Sequence, residues 1–179
     1  MKQSFYLLVL LVVPLFASAH EQRSPYAGEQ EHEIKALSAD EVWAYLSGQG
    51  AGLAKAAELN NYPGPLHVLE LAGDLRLTEA EKSDTERVRA GMLQDATRLG
   101  KLIVEKERDL DHSFGSGKID EGRLRALVAE ISQLQGELRV LHLGSHLEMM
   151  RILTPEQIKR YAELRGYDNA GGQHQSHSH

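Results

Sequence analysis

The sequence predicts an all-α fold, a long antiparallel helical hairpin with short flanking helices. Three observations carry this. Apolar residues recur at steps of three and four over two long stretches. Ser38, Thr78 and Thr154 each precede a helical pattern and have Glu or Gln three positions on, the signature of a capped helix start. Aromatic residues make up only 6% of the chain, and the clusters of Val, Ile, Thr and Tyr that mark strands are missing.

Residues 1–19 read as an export signal. Lys2 supplies a positive charge, Phe5 to Phe16 form a short apolar run, and Ala17-Ser18-Ala19 has the A-x-A form of a cleavage site. The run falls short of the ~20 residues that span a bilayer, and no Cys follows it to take a lipid anchor. The expected product begins at His20 and is a periplasmic, exported and soluble protein without membrane insertion after cleavage. Residues 20–37 are polar and aperiodic, and are expected to form a flexible leader.

The helical domain is expected over 38–166. Ser38 and Glu41 open a short helix through Val42, Trp43 and Leu46, which Gly48 and Gly50 end. Leu53 to Leu59 is a second short piece, broken by Asn60-Asn61-Tyr62-Pro63-Gly64-Pro65, because proline lacks an N–H and restricts the residue before it. Pro65 suits the first turn of a third helix carrying Leu66, Leu69 and Leu75.

Thr78 and Glu81 then start a long helix with Val88, Met92, Leu99, Ile103, Leu110 and Phe114 on one face, stopped by Gly115-Ser116-Gly117. After Asp120 the series Leu124, Leu127, Ile131, Leu134, Leu138 and Leu141 steps by 3 and 4, a seam suited to packing on another helix. Thr154-Pro155-Glu156-Gln157 opens a last short helix with Ile158, Tyr161 and Leu164, ending at Gly166. Two helices of roughly 35 residues run about 50 Å each, and the short glycine turn folds them back on one another. Apolar stripes left open on so thin a body favour a partner, so a homodimer is expected. Residues 167–179 form a His-rich tail expected to be disordered.

Composition excludes several functions. With 26 acidic against 20 basic residues the formal charge is −6, so no nucleic-acid partner is expected. The absence of Cys removes disulfides, thiolate zinc sites, iron–sulfur clusters and cysteine nucleophiles. His32-Glu33 lacks the second His of H-E-x-x-H, Gly115-Ser116-Gly117-Lys118 lacks the spacing of a phosphate loop, and no G-x-S-x-G elbow occurs. The chain is therefore expected not to be an enzyme. Along the first long helix Arg87, Arg89, Arg98, Lys101, Lys106 and Arg108 alternate with acidic residues. This pattern fits a solvated face of ion pairs or a charged surface that receives unfolded polypeptide.

The histidines are more telling. His142 and His146 lie four apart on one helix face, a spacing at which two imidazoles reach one metal ion, and Met150 follows four residues later. Imidazole with thioether fits Zn, Cu, Ni or Co better than Ca or Mg. His67 on the Pro65 helix, with Glu70 a turn on, and Glu86 are candidates to join them. The alternative is two ordinary surface histidines beside a Met pair that packs the seam. In the tail, His174, His177 and His179 form a weak chelator or an inert solubilising end. His20, as a mature N-terminus, offers an amine and an imidazole. No cofactor is obligatory on this reading; a divalent metal is an optional one.

Leu153-Thr154-Pro155-Glu156-Gln157 matches an L-T-x-x-Q motif, and Leu77-Thr78-Glu79-Ala80-Glu81 is a first copy with Glu in place of Gln. Two copies, each opening a helix behind an export signal, resemble the Spy/CpxP family of periplasmic stress proteins. The stretches Tyr62 to His67 and Tyr161 to Tyr167 resemble its metal-resistance and heavy-metal-sensor (CnrX-like) branch. The resemblance covers roughly residues 60 to 167. It implies a helical hairpin dimerised into a curved cradle. It also implies ATP-independent binding of unfolded periplasmic proteins, or restraint of a membrane sensor protein, and in the sensor branch metal held by helix histidines, a Glu and a His-x3-Met pair. His146 and Met150 fit that pair, with His67 and Glu86 nearest to the remainder.

Overall fold

The computed structural model describes residues 24–167, so the expected export signal and the residues beyond Tyr167, with His174, His177 and His179, lie outside it. Six α-helices follow a 3-10 turn at Glu29–Glu31: α1 Ala39–Ser47, α2 Lys55–Glu58, α3 Pro65–Glu70, α4 Glu79–Gly115, α5 Glu121–Ile152 and α6 Pro155–Arg165. Among the described residues there is no strand, and no helix is long and apolar enough to cross a membrane.

Each capping box forms as its spacing requires. The side-chain oxygens of Ser38, Thr78 and Thr154 accept from the backbone N–H groups of Glu41, Glu81 and Gln157, whose side chains accept from the cap N–H in return. Two orphan donors are thus satisfied at each start, about 1 kcal/mol per cap. Asp120 caps α5 through the Arg123 N–H at 2.7 Å.

α4 and α5 form the antiparallel hairpin. Between them Ala96, Leu99, Ile103 and Leu138 make a buried cluster flanked by Met92, Leu134 and Leu141, and Lys106 Nζ pairs with Glu130 at 2.6 Å. The step-of-3-and-4 seam of α5 buries Leu127, Ile131 and Leu138 as its periodicity dictates. At the open end, Val68, Leu75, Met149, Leu153 and Tyr161 close a second cluster that joins α6 and the α3–α4 segment to the hairpin. α1 lies across α4 over a stripe of Ala96, Gly100 and Val104, all buried. A Cβ on Gly100 would come within 2.0 Å of the Tyr45 carbonyl oxygen, so only glycine admits the α1 backbone there.

The structure departs from the expected elements in four places. Ile34 and Leu37, placed by their polar neighbours in a flexible leader, are 1% and 8% exposed and pack on Val104. Ion pairs Arg108–Glu33 at 2.9 Å and Lys35–Asp111 at 3.1 Å flank them. Leu75 is not on the Pro65 helix. α3 ends at Glu70, and the chain turns through Gly73 and a left-handed Arg76 (φ 52°) before α4, which still buries Leu75. The second piece narrows to Lys55–Glu58 because Gly52 is left-handed (φ 85°) just upstream. Phe114 is 55% exposed because it sits in the last turn of α4, beyond the packed clusters.

Candidate functional site

The seam of α5 changes character past Leu138. His142, Ser145 and His146 are buried where the pattern so far carries leucine, before Met149 restores an apolar core residue. Two glycine-bearing loops cover the imidazoles. A Cβ on Gly50 would lie 3.3 Å from His142 Nδ1, and a Cβ on Gly64 would lie 3.0 Å from His146 Cε1. The loop after α1 therefore lies over His142, and the Tyr62–Pro65 turn lies over His146. A methyl in place of these hydrogens would be tight against the rings, so that ring or loop must give slightly.

The two rings are held differently. His146 Nδ1 donates to the Tyr62 carbonyl oxygen at 2.8 Å. That bond fixes the tautomer, so in the neutral ring Nε2 carries the lone pair, the usual arrangement of a metal-ligating histidine. Glu58 Oε2 stands 3.8 Å from the same Nδ1. His142 Nε2 is buried with no hydrogen-bond partner. Burial, with the neighbouring His146 as the smaller cause, holds the His142 imidazole below the usual histidine range. A buried imidazole held below its usual range with an unpaired nitrogen is a polar group that the protein itself leaves unmatched.

Both rings line one cavity of about 620 Å³ between α2, α3, α4 and α5, whose wall also includes His67, Glu58, Arg89, Met92 and Tyr167. His67 Nδ1 contacts Glu70 Oε2 at 2.8 Å, which leaves Nε2 as its other donor atom. The fold thus brings His67, His142 and His146 from two helices to one cavity, as the sequence suggested. It does not bring Glu86 or Met150 there. Glu86 is exposed on the flank of α4, and Met150 is half-buried outside the cavity lining. Two steps of four from His142 accumulate about 80° of rotation and take Met150 out of the lining, whereas Met149, three on from His146, is fully buried against Val68 and Tyr161. Among the described residues no three His, Asp or Glu side chains stand close enough to share one ion.

Glu58 is the residue the sequence did not single out. Its Oε1 accepts from the Tyr161 hydroxyl at 2.5 Å and the Tyr167 hydroxyl at 3.0 Å, and Arg165 Nε lies 3.3 Å away. Tyr161 in turn accepts from the Gly64 N–H at 3.3 Å. Burial first, then the Glu58 carboxylate, pushes the Tyr161 phenol well above its ordinary range, so it stays a donor. One carboxylate on α2 thereby ties the end of α6 to the wall that holds His146. No local motif announces it, since Glu58 sits in a four-residue helix and its partners lie over 100 residues away.

The two L-T-x-x-Q/E copies also meet. Gln157 Oε1 accepts from the Thr154 N–H at 2.8 Å. Its Nε2 donates to Glu81 Oε2 at 3.1 Å and to the Leu75 carbonyl at 3.4 Å. Leu77 packs against the cluster that contains Leu153. Each residue of the motif has a part: Leu fills the core, Thr caps, and Gln or Glu closes its own box while bonding to the other copy. Glu81 is held below the ordinary carboxylate range chiefly by the Thr78 N–H and further by Gln157.

Comparison with the curated proteins yields no match, and comparison with the solved structures yields none either. The family model for LTXXQ motif family proteins matches residues 66–165, more than half of the chain. That span opens just before the first motif copy and closes at the end of α6, enclosing the capped and mutually bonded pair. On that match and that geometry, the chain belongs to the LTXXQ motif family.

Proposed function

We propose that the protein is a periplasmic, ATP-independent stress chaperone that holds unfolded exported polypeptides and responds to a divalent metal. The observation that supports this reading is the cavity itself, which has an apolar rim over an imidazole wall. Leu59 and Leu66 line it while remaining 58% and 43% exposed, and His142 and His146 lie buried beneath. An apolar client segment seated on the rim gains about 25 cal/mol per Å² of surface removed from water. Such binding is reversible and needs no nucleotide. The working unit in this proposal is a homodimer, and its partners are unfolded periplasmic proteins or a membrane sensor protein.

The metal half of the reading rests on donor chemistry. The unpartnered His142 Nε2 and the tautomer fixed on His146 suit Zn, Cu, Ni or Co, which imidazole prefers. His67 is the third candidate ligand on the wall. When bound, the metal would supply a positive charge that draws these rings together. The protein's own part is to orient His146 through the Tyr62 carbonyl and to bury His142 where its charged form is disfavoured.

Light scattering from a chemically unfolded model protein tests the first half. Equimolar protein should slow its aggregation, and no slowing at any ratio overturns the chaperone reading. The orphaned His142 nitrogen also favours a second reading, a metal sensor or buffer that signals to an envelope-stress or metal-resistance system. Submicromolar metal binding together with an inert aggregation assay would select it.

A further inference from the structure

We propose that the cavity between α2, α3, α4 and α5 binds a small amphiphilic carboxylate, its acyl chain seated on the leucine and methionine wall and its head group held by Arg89. The inference goes beyond the proposed function, since it requires neither an unfolded client nor a metal. Three observations carry it.

The first is an unmatched cation. Among the described residues three Lys or Arg side chains are half-buried: Arg89, Lys106 and Arg165. Lys106 pairs with Glu130 at 2.6 Å and Arg165 with Glu58 at 3.3 Å, whereas Arg89 has no acidic partner among the described residues. A guanidinium drawn partly out of water without a counter-charge raises the free energy of the fold. An anion supplied from outside relieves it, and the planar fork of Arg89 matches a carboxylate through two parallel N–H donors.

The second is the charge of the wall. Lys55 and Arg89 both line the cavity, and Glu58 is the one acidic side chain among the described lining residues. Glu58 is already engaged. Its Oε1 accepts from the Tyr161 and Tyr167 hydroxyls and faces Arg165, and its Oε2 faces His146. Positive charge is thus left over on this wall, in a chain whose formal charge is −6. His142, 5% exposed with Nε2 unpaired, is a second polar group on the wall, and its N–H tautomer gives an entering oxygen a donor.

The third is shape. The cavity holds about 620 Å³, inside the span of about 300–1,000 Å³ that small-molecule sites occupy. Leu59 and Leu66 line it from the α2–α3 side, and Met92 and Leu93 from α4. Arg89 lies one helical turn before that α4 pair, and it also lines a groove that continues along α4 through Thr97 and Leu102. The guanidinium therefore stands where the cavity meets the groove, with apolar wall beside it. This order of one cation and then leucine and methionine suits a ligand with one anionic end and an unbranched apolar body. Each methylene that such a ligand buries tightens binding about fourfold.

The test is calorimetric titration of decanoate into the mature full-length chain in metal-free buffer, with octanoate and decanamide as companion probes. Two variants accompany the parent, Arg89→Gln and Arg98→Gln, their folds checked by circular dichroism. Arg98 lines the groove but pairs with Asp95 at 3.4 Å, so it controls for general electrostatic attraction. The expected result is one decanoate per chain, with octanoate about fifteenfold weaker for its two missing methylenes. Decanamide in the parent, and decanoate in Arg89→Gln, should each bind about tenfold or more weakly, while Arg98→Gln binds as the parent does. Equal binding of decanoate and decanamide, or full affinity in Arg89→Gln, overturns the carboxylate site. Equal weakening in both variants overturns it too, by showing a diffuse attraction. No decanoate binding by the parent overturns the inference outright and leaves the chaperone and metal readings to their own assays.

Discussion

Gly100→Ala tests the packing on which the cavity depends. The added Cβ would lie 2.0 Å from Tyr45 O, 2.6 Å from its carbonyl carbon and 3.0 Å from its Cα. All three are backbone atoms, so no side-chain rotation relieves the clash. Unstrained carbon contacts begin near 3.5 Å, so α1 must withdraw by about 1.5 Å. That withdrawal opens a gap over Val42, Tyr45 and Val104, which pack with Ile34 and Leu37. Overpacking of this kind costs about 3 kcal/mol at its upper end, against which alanine regains about 1 kcal/mol of helix propensity. The net expectation is a loss of about 2 kcal/mol. Gly91, Gly136 and Gly144 sit in the same two helices with nothing within 4 Å of a Cβ, so their alanine variants should each gain up to about 1 kcal/mol. Urea unfolding followed by far-ultraviolet circular dichroism reads both; with a slope of about 2 kcal/mol per M, Gly100→Ala should lower the midpoint by about 1 M. A Gly100→Ala protein as stable as the parent, or stabilised like Gly91→Ala, refutes the α1–α4 contact. It would also remove the support for the Gly48–Gly50 loop that covers His142.

Further outcomes follow from the motif and the cavity. Gln157→Ala breaks its own capping box and the bonds to Glu81 and Leu75, and should cost about 1–2 kcal/mol in the same assay; a neutral result would mean that the two copies do not support one another. Glu81 is held below its ordinary value of 4.5, so the unfolded chain takes up its proton first as the solution is acidified. The Glu81 contribution is therefore present above that value and lost as pH falls through the lower folded value. Glu81→Gln should flatten this acid-side slope while keeping the cap, as thermal melts between pH 3 and 6 would reveal. Tyr161→Phe leaves Glu58 without its shortest bond and the Gly64 N–H without an acceptor, and should cost about 1–3 kcal/mol. His142→Leu should be neutral or stabilising without metal, since it removes an orphaned buried nitrogen. A loss above about 2 kcal/mol in metal-free buffer would show that this nitrogen has a partner in solution.

The helices were readable because their causes are local. Thr78, Thr154 and Ser38 act within four residues, and the seam from Leu124 to Leu138 is a run of side chains on one face of one helix. The pairing of the two motif copies was not readable, because the Gln157–Glu81 bond links residues 76 positions apart and neither needs the other to cap its own helix. Ile34 and Leu37 were hidden for a similar reason. Two apolar residues in a polar stretch carry no period, and only the small-residue stripe on α4 gives them and α1 a place to dock. For the site, spacing identified His142 and His146 but could not foresee their burial, which depends on Gly50 and Gly64 from distant loops. It also favoured Met150 over Met149, because a four-residue step stays on the face of an isolated helix. In the hairpin the three-residue step from His146 points into the core.

The cost of those two histidines is itself an argument about the site. A seam built only for stability would continue from Leu138 with leucine, each worth about 1.5–3 kcal/mol when fully buried. At 142 and 146 the chain places imidazoles instead, and covers them with loops carrying glycines at 50 and 64, where a Cβ would lie only 3.3 Å and 3.0 Å from the rings. One ring is then tied to a backbone carbonyl and the other is left with an unsatisfied nitrogen. None of these choices strengthens the hairpin, whose core closes above them at Leu138 and below them at Met149. They raise the free energy of the folded chain at one point and concentrate donor atoms there. A ligand that accepts those lone pairs returns the stability on binding, by mass action on the native state alone. On the proposed metal reading, loop closure over the cavity would depend on occupancy, because the rings proposed to hold the ion are the surfaces on which the loops rest.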